Sequence, residues 1–154
     1  MATLSEMFPG AQFIHIVRDP FIVFPSTKRL WHSLHHVQAM QIDSEKHAKE
    51  YVFKCFDTMY SAFERDRAKL KEGQLHEIHY EELVADPVAS MKIAYEKLAL
   101  GGFEKVRPAF ERQAESMKGY TTNTYQHDSR IVSEITRRWQ PFIQRYGYKQ
   151  PTKE

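Results

Sequence analysis

The chain contains a single cysteine, Cys55, which excludes an internal disulfide and leaves the question of secretion open. Cys55 stands beside Phe53 and Phe56 in an amphipathic segment, so it is expected to be a small buried hydrophobe. A strong charge of either sign is also lacking. The net charge of +2 makes no global case for nucleic acid or an anionic membrane as partner, so any anion site must be local. No apolar run approaches the roughly 20 residues that a membrane helix needs, and the first residues lack a signal-peptide pattern. There is neither an internal repeat nor a low-complexity tract. An intracellular, cytoplasmic protein is the simplest expectation. What is present is ordinary for a soluble globular protein: 42% apolar and 27% charged residues in a chain of 154. That is enough for one domain, residues 1–154, with a real core.

The order of elements follows from apolar spacing and turn residues. Residues 3–8 read as the end of a helix stopped by Pro9-Gly10. Residues 12–17 form a short apolar, β-branched run, expected as a buried strand. Residues 21–40 carry Ile22, Val23, Leu30, Leu34 and Val37 at helical spacing, with the helix expected to begin near Pro25. Asp43 or Ser44 can cap a long helix through about Leu70, whose apolar stripe includes Tyr51, Val52, Cys55, Phe56, Met59, Phe63 and Leu70. Gly73 ends it, and Leu75 to His79 reads as a second strand. Tyr80 to Leu83 is a turn of helix, and Asp86-Pro87 starts another helix through Leu98. Gly101-Gly102 breaks that helix. Residues 104–117 are helical, with Val106, Phe110 and Met117 expected inside. A polar, aromatic loop covers 118–128. A last helix runs from 129 to 146, which Pro141 should kink or restart. Strand, helices and strand suggest a βαβ unit with helical decoration.

The segment with the most chemistry is Phe13-Ile14-His15-Ile16-Val17-Arg18-Asp19-Pro20, followed by Ser26. An apolar strand ends in an arginine, and an Asp-Pro turn follows. In an open α/β sheet the carboxyl ends of strands are where ligands bind. A guanidinium held there can meet a phosphate with two parallel hydrogen bonds. Ser26, placed near the start of the next helix, can offer its hydroxyl and that helix's free N–H groups to the same anion. The competing reading is structural: Arg18 pairs with Asp19 or another carboxylate, and Ser26 only caps a helix. No glycine-rich loop of the kind that nucleotide enzymes carry accompanies this strand.

Residues Phe8 to Pro20, with Ser26, resemble the 3′-phosphate-binding segment of sulfotransferases that use 3′-phosphoadenosine 5′-phosphosulfate (PAPS). His79-Tyr80-Glu81-Glu82-Leu83 followed by Asp86-Pro87 is similar to that family's Tyr-Glu-Asp-Leu…Asp-Pro segment. Residues 101–148, with Arg138-Trp139-Gln140-Pro141-Phe142, resemble the C-terminal part of bacterial-type sulfotransferases. The resemblance implies an α/β, P-loop-like sulfotransferase fold with few parallel strands and mostly helical decoration. It implies transfer of a sulfuryl group from PAPS to a hydroxyl or amine of a small-molecule or glycan acceptor. Arg18 and Ser26 would hold the 3′-phosphate of PAPS, or of the product 3′,5′-adenosine bisphosphate (PAP). Lys118, in Lys118-Gly119-Tyr120, would assist from a late loop, where Met117 replaces the arginine of the family's Arg-Lys-Gly motif.

The family's opening strand, its 5′-phosphosulfate-binding loop and often its general base precede the matched segment, so no catalytic residue is assigned. The chain reads as a sulfotransferase truncated at its N-terminus. Its sheet would expose an edge and could recruit a partner chain. The alternative is a non-catalytic PAP-binding or interaction domain. Other candidates are weaker. His32 and His36 share a helix face with His35 nearby, but no carboxylate lies among them and no metal site is assigned. These histidines and Trp31 face either the solvent, the core or an acceptor cleft. His15 is expected to be a satisfied interior histidine, with a catalytic role as the alternative. Tyr125 belongs to the late loop, beside adenine or acceptor if that loop is functional. Glu81 and Glu82 are adjacent and cannot point the same way. Tyr80 and Glu81 are expected to organise the fold beneath the nucleotide.

Overall fold

The computed structural model describes residues 1–38, 40, 45–119, 125 and 128–151. They fall into two compact units: Met1–Arg18 with Phe63–Thr122, and Asp19–Ala62 with Asn123–Glu154. The expected caps Asp43 and Ser44 lie outside the described residues.

The first unit is built on two parallel strands, β1 (Phe13–Val17) and β2 (Leu75–His79), in register from Phe13 opposite Leu75 to Val17 opposite His79. Its helices are α1 (Ala2–Met7), α4 (Tyr80–Ala85), α5 (Pro87–Lys97) and α6 (Phe103–Ser116), together with the last turn of α3 (Glu45–Arg67). Val17, Ile78, Ala94, Leu98 and Phe103 form its core. Each such fully buried side chain contributes roughly 1.5–3 kcal/mol if large and apolar. Tyr95, Phe103 and Phe110 cluster behind them, with ring centroids 5.4 to 6.3 Å apart. Gly101 and Gly102 both take left-handed backbone angles, φ 69° and 67°, which lets α5 turn sharply into α6.

β1 corrects an expectation. It was expected as a buried strand, but it is covered on one face only: Ile14 and Ile16 are 42% and 49% exposed. On the other face His15 sits directly opposite Glu77, with its Nδ1 3.1 Å from the carboxylate, and its ring rests on Phe63 at 4.1 Å. Arg67 donates to the same carboxylate at 2.6 Å. His15 is thus half-buried, not interior, and is satisfied by its pairing with Glu77.

The helix α5 starts where the sequence says it should. The Asp86 carboxylate accepts from the Ala89 N–H at 2.9 Å, and Pro87 occupies the first turn. Removing that cap with Asp86→Ala is expected to cost about 1 kcal/mol. A urea melt followed by circular dichroism measures it, and a change below about 0.3 kcal/mol would show that the cap contributes little.

The second unit is helical: α2 (Pro20–Gln38), the body of α3, α7 (Ser129–Arg138) and α8 (Gln140–Tyr146). Its core is aromatic. Trp139 lies 2% exposed among Phe24, Phe53 and Phe56, stacked on Phe56 at 3.8 Å and edge-on to Phe53 at 5.2 Å. Phe142 meets Phe56 and Tyr60 at 5.1 and 4.6 Å. Beside this core Arg138 lies over Phe53 at 4.1 Å and donates to Glu50 at 2.7 Å, while Lys49 donates to Glu134 at 2.9 Å. Pro141 restarts the last helix, as its missing N–H requires: α7 ends at Arg138 and α8 begins at Gln140.

Three helices differ from expectation in what they bury. On α3 the buried row is Ala48, Val52, Phe53 and Phe56, whereas Tyr51 and Met59 are 42% and 57% exposed. Cys55 is exposed as well, so it is not the buried hydrophobe expected. Two adjacent rows of this helix are apolar, and periodicity alone cannot choose between them; the Trp139 wall selects one. On α2 burial is confined to Pro20, Phe21 and Phe24, while Leu30 and Val37 are 56% and 80% exposed. Met117, expected inside, follows the end of α6 and is 47% exposed, while Phe103 at the start of that helix is buried. Among the described residues, no helix is long and apolar enough to cross a membrane.

Candidate functional site

Parallel pairing brings the ends of β1 and β2 to one edge. Val17 opposite His79 places the following residues, Arg18 and Tyr80, at the carboxyl end of both strands. The Arg18 guanidinium lies over the Tyr80 ring, 4.1 Å from its centroid. A guanidinium over a ring is held by cation–π attraction, which consumes none of its N–H donors. Among the described residues no carboxylate pairs with Arg18, and the Asp19 carboxylate instead accepts from the Phe21 N–H at 2.8 Å. The arginine is half-buried and follows Val17, which is fully buried. The result is a cation set against an aromatic ring, next to a buried strand residue. Such a cation can meet a phosphate with its N–H donors.

The start of α2 differs from expectation. The helix begins at Pro20, five residues before Pro25, which lies inside it. Asp19 is its cap: the Ile22 and Val23 N–H groups bond to the Asp19 carbonyl. Ser26 therefore sits in the second turn rather than the first, and its N–H is not one of the free ones at the helix end. Its side chain is half-buried and belongs to the second unit, whereas Arg18 belongs to the first. Lys118 follows α6, is 72% exposed and pairs with Glu115 at 2.5 Å. Tyr120 and Asn123 lie outside the described residues. His32 and His36 are exposed. Trp31 is half-buried and meets Tyr51 edge-on at 5.1 Å.

The second unit also holds a cavity of about 470 Å³ that the sequence reading missed. Phe21, Phe24 and Pro25 of α2 and Ile131 and Ile135 of α7 supply its apolar lining. Lys28, Arg29 and His32 of α2, with Tyr125 and Asp128, supply its polar lining. The signal for it was present. Positions 21, 24, 25, 28, 29 and 32 follow i, i+3, i+4, i+7, i+8, i+11, one face of a helix. Its first turn is apolar and its later turns are basic. The Asp128 carboxylate caps α7 by accepting from the Arg130 N–H at 2.8 Å. Hydrogen bonds from the Arg130 side chain and backbone hold that carboxyl below the usual range.

A model of the sulfotransferase family matches residues 1–105. The chain is 32% identical over 151 residues to the omega-hydroxy-beta-dihydromenaquinone-9 sulfotransferase Stf3 of Mycobacterium bovis and to the protein of that name from Mycobacterium tuberculosis. The match covers 98% of this chain and 39% of each relative, so the chain spans about two fifths of their length. Among solved structures it resembles a sulfotransferase domain from the curacin biosynthetic pathway, with a TM-score of 0.53 and 18% identity. That likeness covers 98% of this chain and 60% of that domain, and it shows a shared α/β fold.

Proposed function

The chain belongs to the sulfotransferase family, and from that premise we propose that it provides the 3′-phosphate-binding part of a PAPS-dependent sulfotransferase. The observation that carries this reading is the Arg18 guanidinium over the Tyr80 ring, 4.1 Å from its centroid, with no carboxylate of the described residues paired to it. Arg18 would hold the 3′-phosphate through two parallel charge-assisted bonds. Lys118, of the same unit, would add a longer-range positive charge. Sulfuryl transfer joins an acceptor oxygen or nitrogen to sulfur and breaks the bond from sulfur to its bridging oxygen, releasing PAP. The acceptor's proton needs a base, and no residue of this chain is assigned to that role. The relatives named above carry omega-hydroxy-beta-dihydromenaquinone-9 in their names, which favours a hydroxyl acceptor over an amine here.

The test is calorimetric titration with PAP beside titration with adenosine 5′-monophosphate, which lacks the 3′-phosphate. One charge-assisted phosphate contact is worth roughly 1.5–3 kcal/mol, so PAP is expected to bind about 10- to 150-fold tighter and to raise the melting temperature. Equal affinity for the two nucleotides would overturn the assignment of a 3′-phosphate site.

A second reading has its own observation. Ile14 and Ile16 stand 42% and 49% exposed on a strand of a two-stranded sheet, a surface that fits another chain. On that reading the protein binds PAP or a partner chain without turnover. Release of labelled sulfate ester from labelled PAPS and a panel of alcohols separates the two. PAP binding without any transfer favours the binding domain.

A further inference from the structure

Along α2 the lining of the second unit's cavity changes from apolar to basic. Phe21, Phe24 and Pro25 come first, and Ile131 and Ile135 of α7 add to the apolar lining. One to two turns further along α2, on the same face, come Arg29 and His32. At about 470 Å³ the space suits a small organic molecule.

The charges around it are unequal. Asp128 is its acidic lining residue, and that charge is matched locally: Arg130 donates to it from the backbone at 2.8 Å and approaches it with its guanidinium at 3.2 Å. Arg29 is exposed, and no carboxylate among the described residues pairs with it. Lys28 has a partner of its own, so the asymmetry rests on Arg29, with His32 adding a ring donor. An apolar lining disfavours hydrated, wholly polar ligands. A cationic end disfavours cations and rewards an anion placed beside it.

We infer that this cavity binds a small amphipathic anion, an apolar chain or ring that ends in one carboxylate or sulfate. The apolar body lies against Phe21, Phe24, Ile131 and Ile135, and the anionic end meets Arg29 and His32. The inference rests on the cavity and does not require sulfuryl transfer.

The test uses the full chain without any nucleotide. Decanoate, decyl sulfate and decanol are titrated separately by calorimetry at concentrations below micelle formation. One saturable site is expected for both anions, about tenfold tighter than for decanol, which corresponds to one charge-assisted contact. Arg29→Gln is expected to bring decanoate to the affinity of decanol, and Arg29→Glu to weaken decanoate further while leaving decanol unchanged. Ile131→Trp, which fills the apolar lining, is expected to remove binding of all three. Both Arg29 variants alter an exposed side chain, so they report even if Ile131→Trp fails to fold. Equal affinity for decanoate and decanol, decanoate binding unchanged by both Arg29 variants, or no saturable binding at all would each overturn the inference.

Discussion

Trp139→Ala is expected to destabilise the helical unit by about 3–5 kcal/mol, the range for truncating a fully buried tryptophan. Trp139 is 2% exposed and touches three phenylalanines from two helices, at 3.8 Å for Phe56, 5.2 Å for Phe53 and 5.8 Å for Phe24. Alanine there removes both the transferred area and the ring-to-ring contacts, and α2, α3 and α8 cannot all close on the gap. A whole domain is typically stable by only about 5–15 kcal/mol, so the variant should lose its cooperative urea transition or shift it to much lower denaturant. Trp139→Phe keeps most of the ring surface and should recover more than half of the loss. Near-ultraviolet circular dichroism across the transition gives the measurement. A loss for Trp139→Ala below about 1 kcal/mol would mean that the aromatic cluster does not hold this unit together.

Arg18→Ala is expected to weaken PAP binding by about 10- to 150-fold, equivalent to roughly 1.5–3 kcal/mol for a charge-assisted phosphate contact. The melting temperature without ligand should change little, because the guanidinium contacts the face of Tyr80 rather than a buried carboxylate. Arg18→Lys preserves the charge but neither the planar fork nor the stacking, so an intermediate loss is expected. Tyr80→Leu gives an independent readout. It removes no charge, yet it takes away the platform that orients the guanidinium, and it should cost PAP more affinity than it costs adenosine 5′-monophosphate. A preference for PAP over adenosine 5′-monophosphate that survives Arg18→Ala intact would remove Arg18 from the 3′-phosphate site.

Most elements were legible because their signals are short-range. The apolar run before Arg18, Asp86-Pro87 before α5, Gly101-Gly102 after it and Pro141 inside the last helical stretch each act within a few residues of themselves. The start of α2 was not read correctly. Two prolines, Pro20 and Pro25, compete for the first turn, and Asp19 decides in favour of Pro20 through its bond to the Phe21 N–H. The cavity was missed for a different reason. Its α2 face is regular in the sequence, but a basic stripe on a helix reads as a solvated surface until a second helix is seen to stand over it.

By itself, the sequence determined the parallel βαβ arrangement, the start of α5, the break after it and the candidate arginine at a strand end, since backbone preferences and apolar period settle those locally. Only the tertiary structure decided which of two adjacent apolar rows of α3 is buried, leaving Cys55 outside. It also decided that β1 is covered on one face and that Arg18 rests on Tyr80. Those outcomes depend on residues far apart in the chain, and their free energy comes from packing and charge that exist only once the elements meet.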